Sequence, residues 1–148
     1  MEKNLNPTMV LMADDDQDDR LLMKQALAEN NLADVIEFVE NGVELMDYLR
    51  QEGKYAHEKT TRPSLILLDL NMPKMDGREA LRLIKSDPEL RRIPVIILTT
   101  SQAEEDIFKT YDLGVNSFIC KPVSFQDLVV VAREIGNYWF GTVAISPK

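Results

Sequence analysis

The sequence predicts an α/β fold in which helices cover both faces of a five-stranded parallel sheet. Five short apolar segments recur along the chain, and several are solidly hydrophobic rather than alternating, as in strands buried on both faces of a sheet. Segments with the helical spacing of apolar residues lie between them. Strand and helix therefore alternate five times, which is the (βα)5 pattern of a doubly wound sheet.

The strand candidates are rich in Val, Ile and Leu, and they cover residues 9–13, 35–39, 65–69, 95–99 and 117–120. The helix candidates return an apolar residue every three or four positions, and they centre on residues 18–29, 45–49, 80–84, 107–111 and 128–138. Capping boxes at three helix starts support this order. Their pairs are Asn41 with Glu44, Ser101 with Glu104, and Ser124 with Asp127.

Two further local predictions concern the segments around these elements. Val123 and Leu128 flank the start of the last helix with the spacing of a hydrophobic staple, so we expect their side chains to pack together. Residues 50–63 are polar and charged, and we expect them to form an extended loop between the second helix and the third strand.

Length and composition restrict the class of protein. We expect the 148 residues to form a single domain over residues 1–148, with no output domain. One Cys and one His exclude a disulfide framework, a Cys/His zinc site and a Cys–His catalytic pair. The net charge of −8 argues against a nucleic-acid partner. The longest apolar runs have five residues, whereas a membrane span needs about 20, so we expect a cytoplasmic protein without a membrane partner.

Polar side chains stand where the predicted strands end, which is where open α/β sheets bind their ligands. The first strand runs into Asp14 and Asp15, the third ends at Asp69, the fourth at Thr99, and the fifth runs into Lys121. In the flavodoxin-like strand order 2-1-3-4-5, the first and third strands are neighbours. We therefore expect the three carboxylates to form a cluster that faces a hydroxyl and an ammonium.

The chemistry of such a cluster favours a metal and a phosphoryl group. Clustered carboxylates repel one another unless a cation lies among them, and hard oxygen ligands with room for water suit Mg²⁺. A metal and a lysine would neutralise a transferring phosphoryl group, and a carboxylate could be its nucleophile. Each residue alone has an ordinary structural explanation, since carboxylates also stabilise a helix N-terminus. Four strand ends with matching chemistry favour the functional interpretation.

At these residues the sequence resembles the receiver domains of bacterial two-component response regulators, of the CheY type. The matching segments are MADDD at 12–16, LILLDLNMPKMDG at 65–77, VIILTTS at 95–101 and FICKPV at 118–123. All four occur in order on the predicted scaffold. The loop at 50–63 and the ending NYWFGTVAISP resemble, more narrowly, the single-domain regulators that serve bacterial phytochromes.

The resemblance implies a modified residue and a metal site. Asp69 matches the aspartate that accepts the phosphoryl group. Asp14 and Asp15 match the acidic pair that holds Mg²⁺ together with Asp69, and Asn71 matches the position whose backbone carbonyl also binds the metal. Pro73 and Gly77 match the loop that follows the acceptor.

The resemblance also implies groups that hold and sense the phosphoryl group. Thr99 and Lys121 match the hydroxyl and the ammonium that contact its oxygens, and Pro122 implies a cis peptide bond after the lysine. The switch aromatic of the family is often Tyr, but Phe118 stands here and cannot donate a hydroxyl hydrogen bond. We still expect Thr99 and Phe118 to form a two-state switch, in which the ring fills the space that the threonine vacates.

The implied function is that of a single-domain response regulator in a two-component phosphorelay. A sensor histidine kinase, which the narrower resemblance suggests is a phytochrome, would transfer a phosphoryl group to Asp69. The receiver would assist its own phosphorylation and dephosphorylation without being an enzyme, and it would signal through altered protein contacts. A homodimer through the C-terminal helix face is also predicted, because Tyr138, Trp139 and Phe140 point about 100° apart and cannot all face the core.

Two alternatives belong to other classes. An aspartyl-phosphate phosphatase of the haloacid dehalogenase type would use Asp14 and Asp16 as nucleophile and acid/base, but Asp18 stands where that family has Thr. A flavodoxin-like electron carrier would need a phosphate loop rich in Ser, Thr and Gly, whereas the acidic run repels the phosphate of FMN. Phosphorylation by an acyl phosphate, without phosphomonoester turnover and without flavin, distinguishes the receiver from both.

Overall fold

The sheet has five parallel strands in the order β2-β1-β3-β4-β5. A computed structural model describes residues 9–32, 36–100, 107, 109 and 111–137. The strands are β1 Val10–Ala13, β2 Ile36–Val39, β3 Leu65–Leu68, β4 Val95–Thr99 and β5 Ser117–Cys120. The predicted fold class and strand order are therefore confirmed, with strand bounds that differ from the expected ones by at most one residue.

Four α-helices are described in full, and they are α1 Gln17–Ala28, α2 Gly42–Arg50, α3 Gly77–Ser86 and α4 Phe125–Gly136. Ile107, Lys109 and Tyr111 are also helical, in agreement with the helix predicted around them. The rest of that helix start, including the capping box of Ser101 and Glu104, lies outside the described residues. No helix in the described ranges is long and apolar enough to cross a membrane.

Successive strand residues bury their side chains on opposite faces of the sheet. One face packs against α2 and α3 through a cluster that includes Leu11, Ile66, Ile97, Leu45 and Leu81. The other face packs against α1 and α4 through a cluster that includes Met12, Leu67, Leu98, Leu27 and Ile135. Both faces of the sheet are thus covered, which explains why the strands read as solid apolar runs.

Side-chain caps fix where the helices begin. The predicted caps of α2 and α4 are confirmed, since Asn41 accepts the Glu44 N–H at 2.8 Å and Ser124 accepts the Asp127 N–H at 3.1 Å. Asp16 caps α1 and Asp76 caps α3, and neither cap was predicted. The predicted staple at α4 is wrong, because the Val123 side chain is fully exposed instead of packed on the helix.

Residues 50–63 are more ordered than the expected extended loop. They contain a short 3-10 helix, Gly53–Tyr55, which lies against α2. The Tyr55 ring packs edge-on against Tyr48 at a centroid distance of 5.1 Å, and Lys54 forms a 2.8 Å ion pair with Glu44. An aromatic contact therefore anchors a segment whose polar composition indicated only a loop.

Candidate functional site

The carboxyl ends of the strands bring the predicted polar residues to one edge of the sheet. Asp14 and Asp69 follow the neighbouring strands β1 and β3, and the Asp69 N–H continues the ladder by donating to Ala13 O at 3.0 Å. Thr99 ends β4, and the Lys121 N–H donates to its carbonyl at 2.8 Å. Backbone hydrogen bonds between adjacent strands thus set the relative positions of these side chains.

The Lys121 ammonium lies among three carboxylates. Its Nζ is 2.6 Å from Asp19 Oδ2, 2.7 Å from Asp14 Oδ2 and 3.1 Å from Asp69 Oδ2. Burial alone would lower the pKa of Lys121, but hydrogen bonds and Coulombic attraction from these carboxylates raise it above its usual value. The lysine is therefore held as a cation in a place that excludes most water.

The Asp69 carboxylate is buried and accepts hydrogen bonds on both oxygens. The Thr99 hydroxyl donates to Oδ1 at 2.7 Å, and the Asn71 N–H donates to the same oxygen at 3.2 Å. Lys121 donates to Oδ2 at 3.1 Å. Three of the predicted residues, Thr99, Asn71 and Lys121, thus contact the carboxylate of the fourth, Asp69.

Asp14 is the most deeply buried carboxylate of the site, with no exposed surface. Its Oδ1 accepts the Asp16 N–H at 2.9 Å. Its Oδ2 lies within ion-pair distance of Lys121, but the angles are not those of a hydrogen bond, so this oxygen is left without an aligned donor. Burial, with added repulsion from Asp69, raises the pKa of Asp14 despite the opposing effects of Lys121 and the Asp16 N–H.

The acidic cluster fits a hard divalent cation. Asp14, Asp15 and Asp69 each offer a carboxylate oxygen, and these atoms lie within 4.8 Å of one another. Asp15 is exposed, so the cluster opens to solvent and leaves room for water ligands. A cation here would satisfy the orphaned Asp14 oxygen, whose buried charge is otherwise costly. The Asn71 N–H binds Asp69, and the role of the Asn71 carbonyl stays a prediction.

A close turn holds the loop after Asp69 against the sheet. The Gly77 N–H donates to Leu70 O at 2.9 Å. A Cβ on Gly77 would lie 2.2 Å from Asp69 O and 2.8 Å from Leu70 Cα, so only glycine fits without displacing backbone. Lys74 in the same loop adopts a left-handed conformation with φ of 67°. The backbone of this loop is therefore tightly constrained.

Sequence reasoning missed two residues of this site. Asp19 pairs with Lys121, and Arg20 donates from Nη1 to Asp14 O at 2.8 Å while its Nη2 lies 3.7 Å from Glu40. The available signal was the spacing of Asp19, three residues after the Asp16 cap of α1, which points it back toward the start of the helix.

The two residues of the predicted switch are Thr99, which contacts Asp69, and Phe118, which lies in the neighbouring strand β5. Thr99 is fully buried on Asp69, and Phe118 is half-buried against the core, while its N–H donates to the Tyr111 hydroxyl at 3.2 Å. A rearrangement between them stays a prediction.

The implied cis bond before Pro122 is wrong, since no peptide bond among the described residues is cis. The trans form is intrinsically favoured by about 0.5–1 kcal/mol before proline, so the local sequence does not require the cis isomer.

Comparison with known proteins identifies the family. Residues 10–133 match the response regulator receiver domain. Response regulator Rcp1 of Synechocystis sp. is 39% identical over 139 residues, which cover 94% of this chain and 93% of Rcp1. This match supports a signalling protein and gives no support to the phosphatase alternative.

Solved structures agree with the sequence comparison. The phosphorylated cyanobacterial phytochrome response regulator RcpA superposes with a TM-score of 0.84 at 46% identity, over 92% of this chain and 96% of RcpA. The Mn²⁺-bound form of Rcp1 superposes with a TM-score of 0.84 at 39% identity, over 93% and 97% of the two chains. Because the family match spans nearly all the described residues, this protein belongs to the response regulator receiver domains of two-component signalling.

Proposed function

We propose that this receiver accepts a phosphoryl group on Asp69 from the phosphohistidine of a sensor histidine kinase. One observation carries the proposal: the Asp69 carboxylate lies between the Thr99 hydroxyl at 2.7 Å and the Lys121 ammonium at 3.1 Å. A nucleophilic carboxylate flanked by a hydroxyl donor and a cation is suited to receive a group that brings negative charge.

The transfer forms one bond and breaks another at phosphorus. An Asp69 carboxylate oxygen attacks the phosphorus, and the electron pair of the P–N bond leaves with the imidazole of the kinase. Lys121 balances the added negative charge, and the Thr99 hydroxyl changes its acceptor from Asp69 to a phosphoryl oxygen. The same groups then serve hydrolysis of the acyl phosphate, so the receiver assists both its phosphorylation and its dephosphorylation.

We assign the cation site to Mg²⁺, held by Asp14, Asp15 and Asp69 with the Asn71 carbonyl. When bound, the ion would neutralise charge on the transferring phosphoryl group. The orphaned buried oxygen of Asp14 supports a cation at this point, and the Mn²⁺-bound form of the relative Rcp1 supports a divalent one.

An apolar surface beside the site suits a docking kinase. A cavity of about 180 Å³ lies next to Lys121, between α1 and the start of α4. Leu22 and Phe125 line it and are each 39% exposed, and the neighbouring Val123 is fully exposed. Apolar side chains left in solvent beside a reactive group favour a protein partner that covers them. We propose a phytochrome as that kinase, because the relative RcpA is a phytochrome response regulator.

The output is proposed to be altered protein contact, including a homodimer through the C-terminal helix face. The aromatic residues that suggest it, Tyr138 to Phe140, lie outside the described residues, so this proposal rests on their order in the sequence. Sedimentation of the wild type and of Trp139→Ala, with and without phosphorylation, tests it. A wild type that stays monomeric at high concentration in both states contradicts the dimer.

The phosphorylation proposal is tested with Asp69→Asn, which keeps the side-chain volume but removes the nucleophile. The matched control is Asp76→Asn in the same loop, where Asn can still cap α3. After incubation with acetyl phosphate and Mg²⁺, mass spectrometry should find a phosphoryl group on the wild type and the control but not on Asp69→Asn. A folded Asp69→Asn protein that is phosphorylated at full yield would overturn the assignment.

A further inference from the structure

The contact between Asp19 and Lys121 is not needed for the metal cluster or for the nucleophile. Asp19 lies on the first turn of α1, where its N–H donates to the Asp16 cap at 3.3 Å. Its Oδ2 is 2.6 Å from Lys121 Nζ, the shortest of the three contacts of the ammonium. The neighbouring Asp18 is exposed, and its carboxylate has no hydrogen bond or ion pair with any residue that the structure describes.

The ammonium of Lys121 is crowded by carboxylates. It donates hydrogen bonds to Asp19 Oδ2 and Asp69 Oδ2, and Asp14 Oδ2 lies 2.7 Å from the same nitrogen without an aligned hydrogen bond. A phosphoryl group on Asp69 would add further anionic oxygens beside the same nitrogen. The phosphoryl oxygens would therefore compete with the present carboxylate partners for the N–H groups of Lys121.

Exposure and ligand membership indicate which partner is released. Asp14 and Asp69 belong to the cation cluster and are buried, whereas Asp19 is outside that cluster and its side chain is 33% exposed. Water can solvate the Asp19 carboxylate as soon as the lysine leaves, while the other two would be left charged in the interior. Asp19 is the partner whose loss costs least.

We propose that Asp19 is a positioning residue that holds Lys121 in the unphosphorylated receiver and competes with the phosphoryl group for it. Asp19 acts on the phosphoryl group only through the lysine. The strength of this competition sets how readily the receiver takes up its phosphoryl group. The inference deepens the proposed phosphorylation of Asp69 and rests on it.

The test compares three variants of the full chain. Asp19→Asn removes the charge that competes for Lys121, and Asp18→Asn removes a like charge one residue away. Asp19→Glu keeps the negative charge at position 19. Beryllofluoride, a non-covalent analogue of the phosphoryl group, is titrated with Mg²⁺ present and followed by fluorine NMR. We expect Asp19→Asn to bind beryllofluoride about three- to tenfold more tightly than Asp18→Asn does. This is the size of effect that follows from losing a partly exposed ion pair that includes a charged hydrogen bond. The affinity of Asp19→Glu should lie close to that of the wild type.

A second measurement needs neither metal nor phosphoryl analogue. The ammonium resonance of Lys121, assigned with Lys121→Arg, should shift in metal-free Asp19→Asn and stay in place in Asp18→Asn. If Asp19→Asn binds beryllofluoride no more tightly than Asp18→Asn, the competition does not exist and the inference is overturned. If the wild type itself binds no beryllofluoride, the proposed function fails and the inference fails with it.

Discussion

Replacing Asp14 with Asn should stabilise the metal-free protein and weaken its binding of Mg²⁺ at the same time. Asp14 is fully buried, one of its oxygens lacks an aligned donor, and burial raises the pKa of its carboxyl group. Removing one partner of a buried ion pair usually destabilises a protein by about 3–5 kcal/mol, because the other charge is left alone. Here Lys121 keeps Asp19 and Asp69 within 3.1 Å, so that penalty does not arise.

The expected magnitudes have opposite signs. Relief of the excess negative charge should raise the free energy of unfolding of the metal-free protein by about 0.5–2 kcal/mol, the usual gain when a strained functional site is relaxed. Loss of a charged ligand should lower Mg²⁺ affinity at least about tenfold, since even the outer partners of metal ligands contribute that much. Each tenfold loss removes about 1.4 kcal/mol of the stability that Mg²⁺ adds at saturating concentration.

The pH dependence follows from the raised pKa of Asp14. The folded protein holds this proton more tightly than the unfolded chain does, so the group favours folding below its unfolded pKa and loses that effect as the pH rises through its folded pKa. The advantage of Asp14→Asn should therefore be largest at neutral pH and should shrink in acid.

Urea denaturation followed by circular dichroism, with chelator or with Mg²⁺ and at neutral and acidic pH, measures both effects. Asp18→Asn is the charge-matched control, because its carboxylate is exposed and lies outside the cation cluster. If Asp14→Asn is less stable than the wild type in chelator at neutral pH, the Asp14 charge does not destabilise the metal-free fold. If the variant gains as much stability from Mg²⁺ as the wild type does, Asp14 is not a ligand of the cation.

Three further substitutions test other parts of the site. Gly77→Ala should lower the free energy of unfolding by about 1–3 kcal/mol and reduce phosphorylation, because its Cβ would lie 2.2 Å from Asp69 O, and denaturation with a phosphorylation assay measures both. Thr99→Ala should leave phosphorylation partly intact but abolish the phosphorylation-dependent change in partner affinity, and an unchanged shift in a binding titration contradicts the switch. Asp15→Ala should weaken Mg²⁺ binding far more than Asp18→Ala, and equal losses in a metal titration would indicate a diffuse acidic patch.

The fold was predictable because independent local signals agree. The four residues of β3 are all apolar and are at most 1% exposed, a burial that only a central strand covered on both faces provides. Asn41 and Ser124 cap the helices that follow β2 and β5, so the alternation of strand and helix is encoded twice. Where a single signal stood alone it failed, as at Val123, because residue spacing does not specify the direction from which the chain approaches a helix.

The centre of the site was predictable for a topological reason. Parallel strands all end at one edge of the sheet, so residues that follow three different strands meet wherever the strands are adjacent. In the chain, Asp69 is 30 residues from Thr99 and 52 residues from Lys121. The strand order alone was enough to predict that the three side chains meet. The backbone conformation of Lys74 was not predictable in this way, because it depends on contacts within the loop itself.

The contacts of each carboxylate in the acidic run after β1 could not be predicted from strand order, because they depend on the direction in which each side chain leaves the start of α1. The expected helix began one residue later than α1, and consecutive side chains in a helix point about 100° apart, so Asp18 and Asp19 face different directions. With Asp16 as the cap, Asp19 reaches Lys121 while Asp18 faces solvent, and Asp14 and Asp15 remain with the cation cluster. Five chemically identical groups therefore have different environments, set by the end of β1 and by the Asp16 cap of α1. Composition alone cannot distinguish them, and substitutions that exchange only Asp for Asn at single positions can.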